Sequence, residues 1–180
     1  MVLLDLLREL SYDVGVAHCN FQLRGEESDL DQQLVKEYCN THNIPFYQKN
    51  FDTDLPKQST QMAARTLRYE WFETLVQTEN YDWVLTAHHA DDNIETLLMN
   101  ITRGTGIEGL TAIPKQNGKI LRPFLKYYKS EIVDFAKTHG IEWREDRSNQ
   151  SDDYTRNIIR HHLIPQLTKL HPKALENTSK

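Results

Sequence analysis

Apolar and polar positions along the chain repeat with two periods, one suited to helices and one to strands. Val2 to Leu10, VLLDLLREL, carries apolar residues at helical spacing, and DVGVAHC after it predicts a short strand ending near Ala17 and His18. Glu26 to His42 returns to a helical pattern. Its acids Glu26, Glu27, Asp29 and Asp31 gather near the start, where the helix dipole favours negative charge. IPFYQKNF predicts a second strand. Ser59 is placed to cap a long helix to about Glu79, with Ala64, Leu67, Trp71, Leu75 and Thr78 along its inner stripe. YDWVLTA predicts a third strand, followed by a helix from Asp92 to about Ile101. ILRPFL gives a short extended piece and KSEIVDFAKTHG a further helix. After Gly140 the pattern turns polar, and Pro165 interrupts the last helical stretch.

Strands alternating with helices predict an α/β chain. The expected architecture is a Rossmann-like open parallel sheet with helices on both faces, plus the start of a helical C-terminal extension. The main domain is expected over residues 1–150 and a helical linker over 151–180. A length of 180 residues, with 38% hydrophobic and 26% charged positions, suits one core of ordinary size. No apolar run approaches the roughly 18 residues of a membrane span. MVLLDLLREL lacks the basic flank and small-residue cleavage site of a signal peptide. Cys19 and Cys39 have no Cys-x-x-Cys spacing, so neither a zinc site nor a disulfide framework is indicated, and a cytoplasmic setting is the default.

A formal net charge of −5 argues against a protein that simply coats nucleic acid. The charge is uneven, however. KQNGKILRPFLKYYK has five basic residues and no acid, and Tyr154 to Lys173 has Arg156, Arg160, Lys169 and Lys173 and again no acid. Two such blocks suit a polyanion held at one face. Solvated faces of ordinary helices fit them equally well.

The densest chemistry lies in LTAHHADDNIETLLMNITRGTG. Ligands of open parallel sheets bind beyond the carboxyl ends of the strands, which is where His88, His89, Asp91, Asp92 and Glu95 fall. At positions i, i+3 and i+4, Asp92, Glu95 and Thr96 share one helix face, and Ile94, Leu97, Leu98 and Ile101 form the opposite, buried stripe. A plainer account exists: Asp-x-x-Glu is a capping-box arrangement, and Gly104 suits a helix C-terminus. Capping requires neither HHAD in front nor RGTG behind. A metal-dependent phosphoesterase would also use histidines beside aspartates. Adjacent histidines on an extended segment point to opposite sides, though, and no second acid–histidine cluster supplies further ligands.

Four segments in order carry a resemblance: AHCNFQLRGEESDLD, STQMAARTLRYEWF, TAHHADDNIETLLMNITRGTG and EDRSNQSDDYTRNIIRHHLIP. Together they resemble the catalytic domain of the bacterial tRNA(Ile)-lysidine synthetase family, within the N-type ATP pyrophosphatase superfamily, from Met1 to about Pro165. Sulfur-transferring relatives in that superfamily commonly add paired cysteines, which this chain lacks.

The resemblance implies a ligase. ATP adenylates the carbonyl oxygen at carbon 2 of the cytidine in the first anticodon position of tRNA(Ile), read CAU. The side-chain amine of free L-lysine then displaces AMP to give lysidine. ATP and Mg2+ are the implied cofactors, tRNA(Ile) and lysine the partners, with no membrane and with a homodimer allowed. Asp92 and Glu95 would act at the reaction centre and bind the lysine ammonium groups. Arg160 would take the lysine carboxylate, because a guanidinium matches it bidentately. Arg68 would join the catalytic set, and Ala17, His18, Arg65, Arg68, Arg103 and Gly104 would line the ATP site.

One family feature is not in the chain. The Ser-Gly-Gly-x-Asp-Ser phosphate turn after the first strand does not occur, and MVLLDLLREL matches the helix that follows it. That turn would offer backbone N–H groups to the ATP phosphates. The chain by itself is therefore expected to bind ATP weakly and to be poorly stable. A catalytically dead interaction module of the same fold is the alternative in another functional class.

Overall fold

The computed structural model describes residues 1–21, 25–51, 57–145, 155–171 and 173–175, without the side chains of 57–61 and 108. These residues fall into two compact units, Met1–Val84 with Gly140–Arg144, and Leu85–His139 with Glu145–Lys180. The domain boundary expected at residue 150 lies outside the described residues.

In the first unit, α1 (Val2–Glu9) precedes β1 (Val16–Asn20), α2 (Glu26–Thr41), β2 (Phe46–Asn50) and α3 (Lys57–Thr78). β1 and β2 pair in parallel, from Val16 opposite Phe46 to Asn20 opposite Asn50. The strand therefore continues past Ala17 and His18, which face Tyr47 and Gln48 inside the ladder. The extension through polar Asn20 has a clear cause. Its carbonyl accepts the Phe51 N–H at 2.8 Å. Its buried amide donates to Asp29 Oδ1 at 3.0 Å and Gln32 Oε1 at 3.1 Å. So one acid at the start of α2 fastens the strand as well as meeting the helix dipole. Glu27 and Asp31 hold Arg144, with its Nη2 2.7 Å and its Nε 2.8 Å away, and so bring residues 140–144 to α2.

α3 starts at Lys57, so Ser59 stands within its first turn rather than at its cap. Among its described side chains Ala64 and Val76 are buried, and the inner stripe stops short of exposed Thr78. Just before β1 the backbone runs against Tyr81, and a Cβ on Gly15 would lie 2.1 Å from its hydroxyl. A larger residue there would require the Tyr81 side chain to move.

β3 (Val84–Leu85), at the boundary between the units, β4 (Gln116–Asn117) and β5 (Ile120–Leu121) form a sheet in the order β3-β5-β4. The described strands thus hydrogen-bond in two groups, within the α/β fold that the sequence predicts. β4 and β5 are an antiparallel hairpin turning at Gly118, whose φ is 56°. α4 (Ala90–Thr102) leads to a 3-10 turn at Ile107–Thr111, and α5 (Lys129–Thr138) follows the hairpin. The last helical stretch comprises α6 (Thr155–Ile158), a π turn at Ile159–Leu163 and α7 (Ile164–Leu170). Pro165 opens α7 rather than breaking the helix. It has no N–H for the turn before it, and there the ladder widens so that Ile164 N–H reaches Ile159 O. Ala90, Ile94, Phe124, Ala136 and Ile159 are buried in the second unit, whereas Ile101, expected in the buried stripe, is exposed. Among the described residues, no helix is long and apolar enough to cross a membrane.

One polar cluster joins α1 to α2. Asp5, buried, accepts Arg8 Nη2 at 3.0 Å and the Tyr38 hydroxyl, while Arg8 Nε donates to Tyr38 Oη at 3.1 Å. Burial alone would raise the Asp5 pKa, but the Tyr38 and Arg8 hydrogen bonds outweigh it and hold the carboxyl below its ordinary value. The folded protein therefore binds fewer protons here than the unfolded chain, and its stability rises with pH. That contribution is complete above the ordinary aspartate pKa and is lost as pH falls through the depressed one. Tyr38→Phe is expected to cost about 1 kcal/mol at neutral pH, and Asp5→Asn to flatten the acid side of the stability curve. Denaturant titrations between pH 3 and pH 7 measure both effects.

Candidate functional site

α4 begins at Ala90, two residues before the sequence pattern places it. His89, in extended conformation, is its N-cap, and Asp92 at the third helical position reaches back so that Oδ2 accepts the His89 N–H at 3.0 Å. The reach-back acid of the capping box is thus Asp92, and Glu95 is not part of it. The His89 ring lies between two carboxylates, Nδ1 at 3.3 Å from Asp91 Oδ2 and Nε2 at 3.5 Å from Asp92 Oδ2. Asp91 also receives the Lys129 N–H at 2.8 Å and so caps the start of α5. Burial works to raise the Asp91 pKa, yet the adjacent His89 ring and the Lys129 N–H hold it below its ordinary value. His88 shares a 2.9 Å hydrogen bond with Thr86 Oγ1.

The face shared by Asp92, Glu95 and Thr96 meets α6 and the π turn. The Glu95 side chain has 0% exposure, so its charge has no contact with water. Arg156 Nε donates to its Oε2 at 2.7 Å. Arg160 Nε donates to Oε1 at 2.6 Å and Nη2 to Oε2 at 3.1 Å. Arg156 Nη2 further approaches Asp92 O at 3.4 Å and Asp92 Oδ1 and Thr96 Oγ1 at 3.5 Å. The Glu95 hydrogen bond raises the Arg160 pKa above an arginine's ordinary value. A buried carboxylate is tolerated only with such partners, because desolvating an ion is expensive until counter-charges and hydrogen bonds satisfy it.

Asp92, Glu95 and Arg160, singled out from the sequence, are thus brought together. The sequence reading missed Arg156, His89 as the cap, and Asp91 as a tie to α5. Arg156 sits four residues before Arg160, the spacing that puts two helical side chains on one face, and that signal was available.

The residues expected around ATP divide between the units. In the first, Arg68 is exposed on α3, and its guanidinium lies over the Phe21 ring at 5.5 Å. Phe21 in turn stacks on Phe51 with centroids 4.7 Å apart. Burial pushes the Cys19 thiol up to about 11 against the lowering pull of Arg68. Arg65 lies over Tyr69 at 4.9 Å. The His18 ring is 6.1 Å from that of Phe46. In the second unit Arg103 is the C-cap of α4, and Gly104 follows with φ 74°, a backbone angle glycine takes without strain. Among the described residues no group of three or more His, Cys, Asp and Glu side chains is arranged to hold a metal ion.

A family model described as a PP-loop domain matches residues 1–167. The tRNA(Ile)-lysidine synthase of Porphyromonas gingivalis is 43% identical over 181 residues, covering 98% of this chain and 40% of the relative. That of Chlorobaculum tepidum is 42% identical over 156 residues, covering 84% of the chain and 47% of the relative. The chain thus spans less than half the length of these curated relatives. Among solved structures, a U34-tRNA thiolase from Methanococcus maripaludis superposes with a TM-score of 0.79 at 17% identity, covering 99% of this chain and 65% of that one. That likeness is one of fold.

Asp91 gives this site a measurable structural tie. Asp91→Ala orphans the Lys129 N–H at the start of α5 and is expected to cost about 1–2 kcal/mol, as loss of a helix cap does. Asp91→Asn keeps an acceptor and is expected to cost less than half of that. Urea unfolding gives the totals, and hydrogen exchange at the Lys129 amide should rise in the alanine variant first.

Proposed function

The chain belongs to the PP-loop domain family, and from that premise we propose that it is the catalytic part of a tRNA(Ile)-lysidine synthetase. The domain so proposed covers residues 1–150, and 151–180 begin a helical extension. ATP adenylates the carbonyl oxygen at carbon 2 of the first anticodon cytidine, releasing pyrophosphate. The lysine side-chain amine then attacks carbon 2, and AMP leaves with the activated oxygen. Activation makes a poor leaving oxygen into a good one, and the protein's task is to hold three substrates in line. The substrates are ATP, free L-lysine and tRNA(Ile) with a CAU anticodon, and the reaction is placed in the cytoplasm.

The observation that carries this reading is the charge balance at the start of α4. Three carboxylates, Asp91, Asp92 and Glu95, stand with two guanidiniums, Arg156 and Arg160. Counting these acids and arginines alone, among the described residues, one negative charge is left over. Lysine, with two ammonium groups and one carboxylate, carries one positive charge and supplies groups of both signs. Asp92, 15% exposed, is assigned to an ammonium and Arg160 to the carboxylate. Arg68 and Arg65, on α3, are assigned to the phosphates and the charge that develops on them. Ala17, His18, Arg103 and Gly104 complete the proposed nucleotide-binding set. Mg2+ would arrive with the phosphates. The described residues offer it no ready group of three ligands.

Asp92→Asn separates this function from helix capping. Asparagine keeps an oxygen for the His89 N–H and is as good as aspartate at helix starts, so thermal melting should hardly move. Removing one charge that faces an ammonium in a partly desolvated site should weaken lysine use by roughly 2–4 kcal/mol. Labelled-lysine incorporation into tRNA(Ile) measures it. Unchanged lysine dependence with an unchanged melt would leave Asp92 a cap alone. Should Asp92→Asn melt early, Asp92→Glu keeps the charge and should retain lysine use.

A further inference from the structure

Arg156 has no role in the reaction as proposed above, yet its surroundings give it one. Its Nε is fixed on Glu95 Oε2 at 2.7 Å, and its Nη2 is steered by Asp92 O at 3.4 Å and Thr96 Oγ1 at 3.5 Å. Among the described residues its Nη1 makes no hydrogen bond. The side chain is 39% exposed, and that of Arg160 beside it is 27% exposed. The Arg156 guanidinium is therefore anchored at one end and reachable at the other. Glu95 is the reverse case. Both of its oxygens end on guanidinium N–H groups, and with 0% exposure it has no open edge. It could accept an ammonium from solution only by giving up one of these bonds and leaving an arginine half-paired in a dry site, a loss that buried ion pairs resist strongly.

Resting on the amino-acid reading of this site, we infer that Arg156 is a second ligand of the substrate carboxylate, alongside Arg160. Glu95 is then a positioning residue that holds the two guanidiniums, and the ammonium falls to Asp92. A planar fork with its Nε edge already committed keeps its outer N–H groups at a fixed angle, the geometry a carboxylate accepts. Pre-ordering two long side chains also lowers the entropy lost when the ligand arrives. Asp92 is open where Glu95 is closed, with its side chain 15% exposed.

The test uses the chain itself and three soluble probes: L-lysine, L-lysinamide, which lacks the carboxylate charge, and L-norleucine, which lacks the side-chain ammonium. Titration calorimetry yields two ratios for each variant, lysine over lysinamide and lysine over norleucine. The wild type should favour lysine over lysinamide by about tenfold or more, as expected for charge-assisted contacts. In Arg156→Gln that preference should fall to about twofold while lysine over norleucine holds, and Arg156→Lys should restore part of it. In Glu95→Gln the lysinamide ratio should fall in the same way, with the norleucine ratio unchanged. Glu95→Asp replaces it if the glutamine variant does not fold.

A purely structural Arg156 would weaken all three probes together and leave both ratios at wild-type values, which overturns the inference. Collapse of the norleucine ratio in the Glu95 variant would put Glu95 on the ammonium and overturn it as well. A wild-type chain that binds lysine no better than either probe would instead overturn the amino-acid reading on which the inference stands.

Discussion

A carboxylate without solvent contact sets the terms for the second unit. Glu95 could not be buried on α4 as an isolated ion, because the desolvation penalty would amount to several kcal/mol. The chain meets that demand with Arg156 and Arg160, which lie 61 and 65 residues further on. The requirement is mutual. The two guanidiniums are poorly placed without the carboxylate, and the carboxylate is untenable without them. The helical stretch that carries them is thereby held to α4 by charge in addition to apolar contact. Ile159, between the two arginines, supplies the buried hydrophobic part of the same junction.

Three further polar side chains of α4 work in a similar way, ending on backbone groups elsewhere in the unit. Asp91 takes the Lys129 N–H. Asn93 Oδ1 takes the Ile113 N–H at 2.8 Å, and Asn100 Nδ2 donates to Gly109 O at 2.8 Å. A loop backbone offers many unpaired N–H and C=O groups, and side chains from a rigid helix satisfy them without a sheet. This explains how the loops between α4 and α5 can be held with strands only two residues long. The first unit applies the same device at Asn20, whose amide is fixed by Asp29 and Gln32 of α2.

Periodicity in the sequence revealed what depends on neighbours along the chain. The alternation of helices and strands, the shared face of Asp92, Glu95 and Thr96, and the acid-rich start of α2 all follow from local spacing. Partners supplied by distant residues left no such trace. Nothing about Asn20 distinguishes a strand end from a strand interior until Asn50 stands opposite it. Ile101 belongs to an apolar helix stripe by its spacing, yet it is exposed because the final turn of α4 runs out beyond the core. The capping box was misplaced by three residues because Asp-x-x-Glu and His-x-x-Asp overlap, and a weak N-cap such as histidine carries little statistical signal. Asn117-Gly118 marked a hairpin that apolar pattern alone cannot show, since its strands are too short to alternate.

The burial of Glu95 also bears on selectivity. Its two arginines offset it and exceed it by one charge, so the cluster turns negative only through Asp91 and Asp92. Asp91 is committed to the start of α5 and to His89. The surplus therefore rests on Asp92, whose other ties are a single backbone N–H, a histidine ring and a 3.5 Å approach from Arg156. On the proposed reading, an ammonium arriving there would remove an imbalance built into the fold, whereas a neutral side chain would cover the same carboxylate and bring it no counter-charge. Discrimination of this kind comes from the penalty on the wrong ligand as much as from contacts with the right one. A site built on a fully paired glutamate and a partly paired aspartate would thus be rigid and selective together on the proposed reading, because the group that organises it is not the group assigned to the ligand.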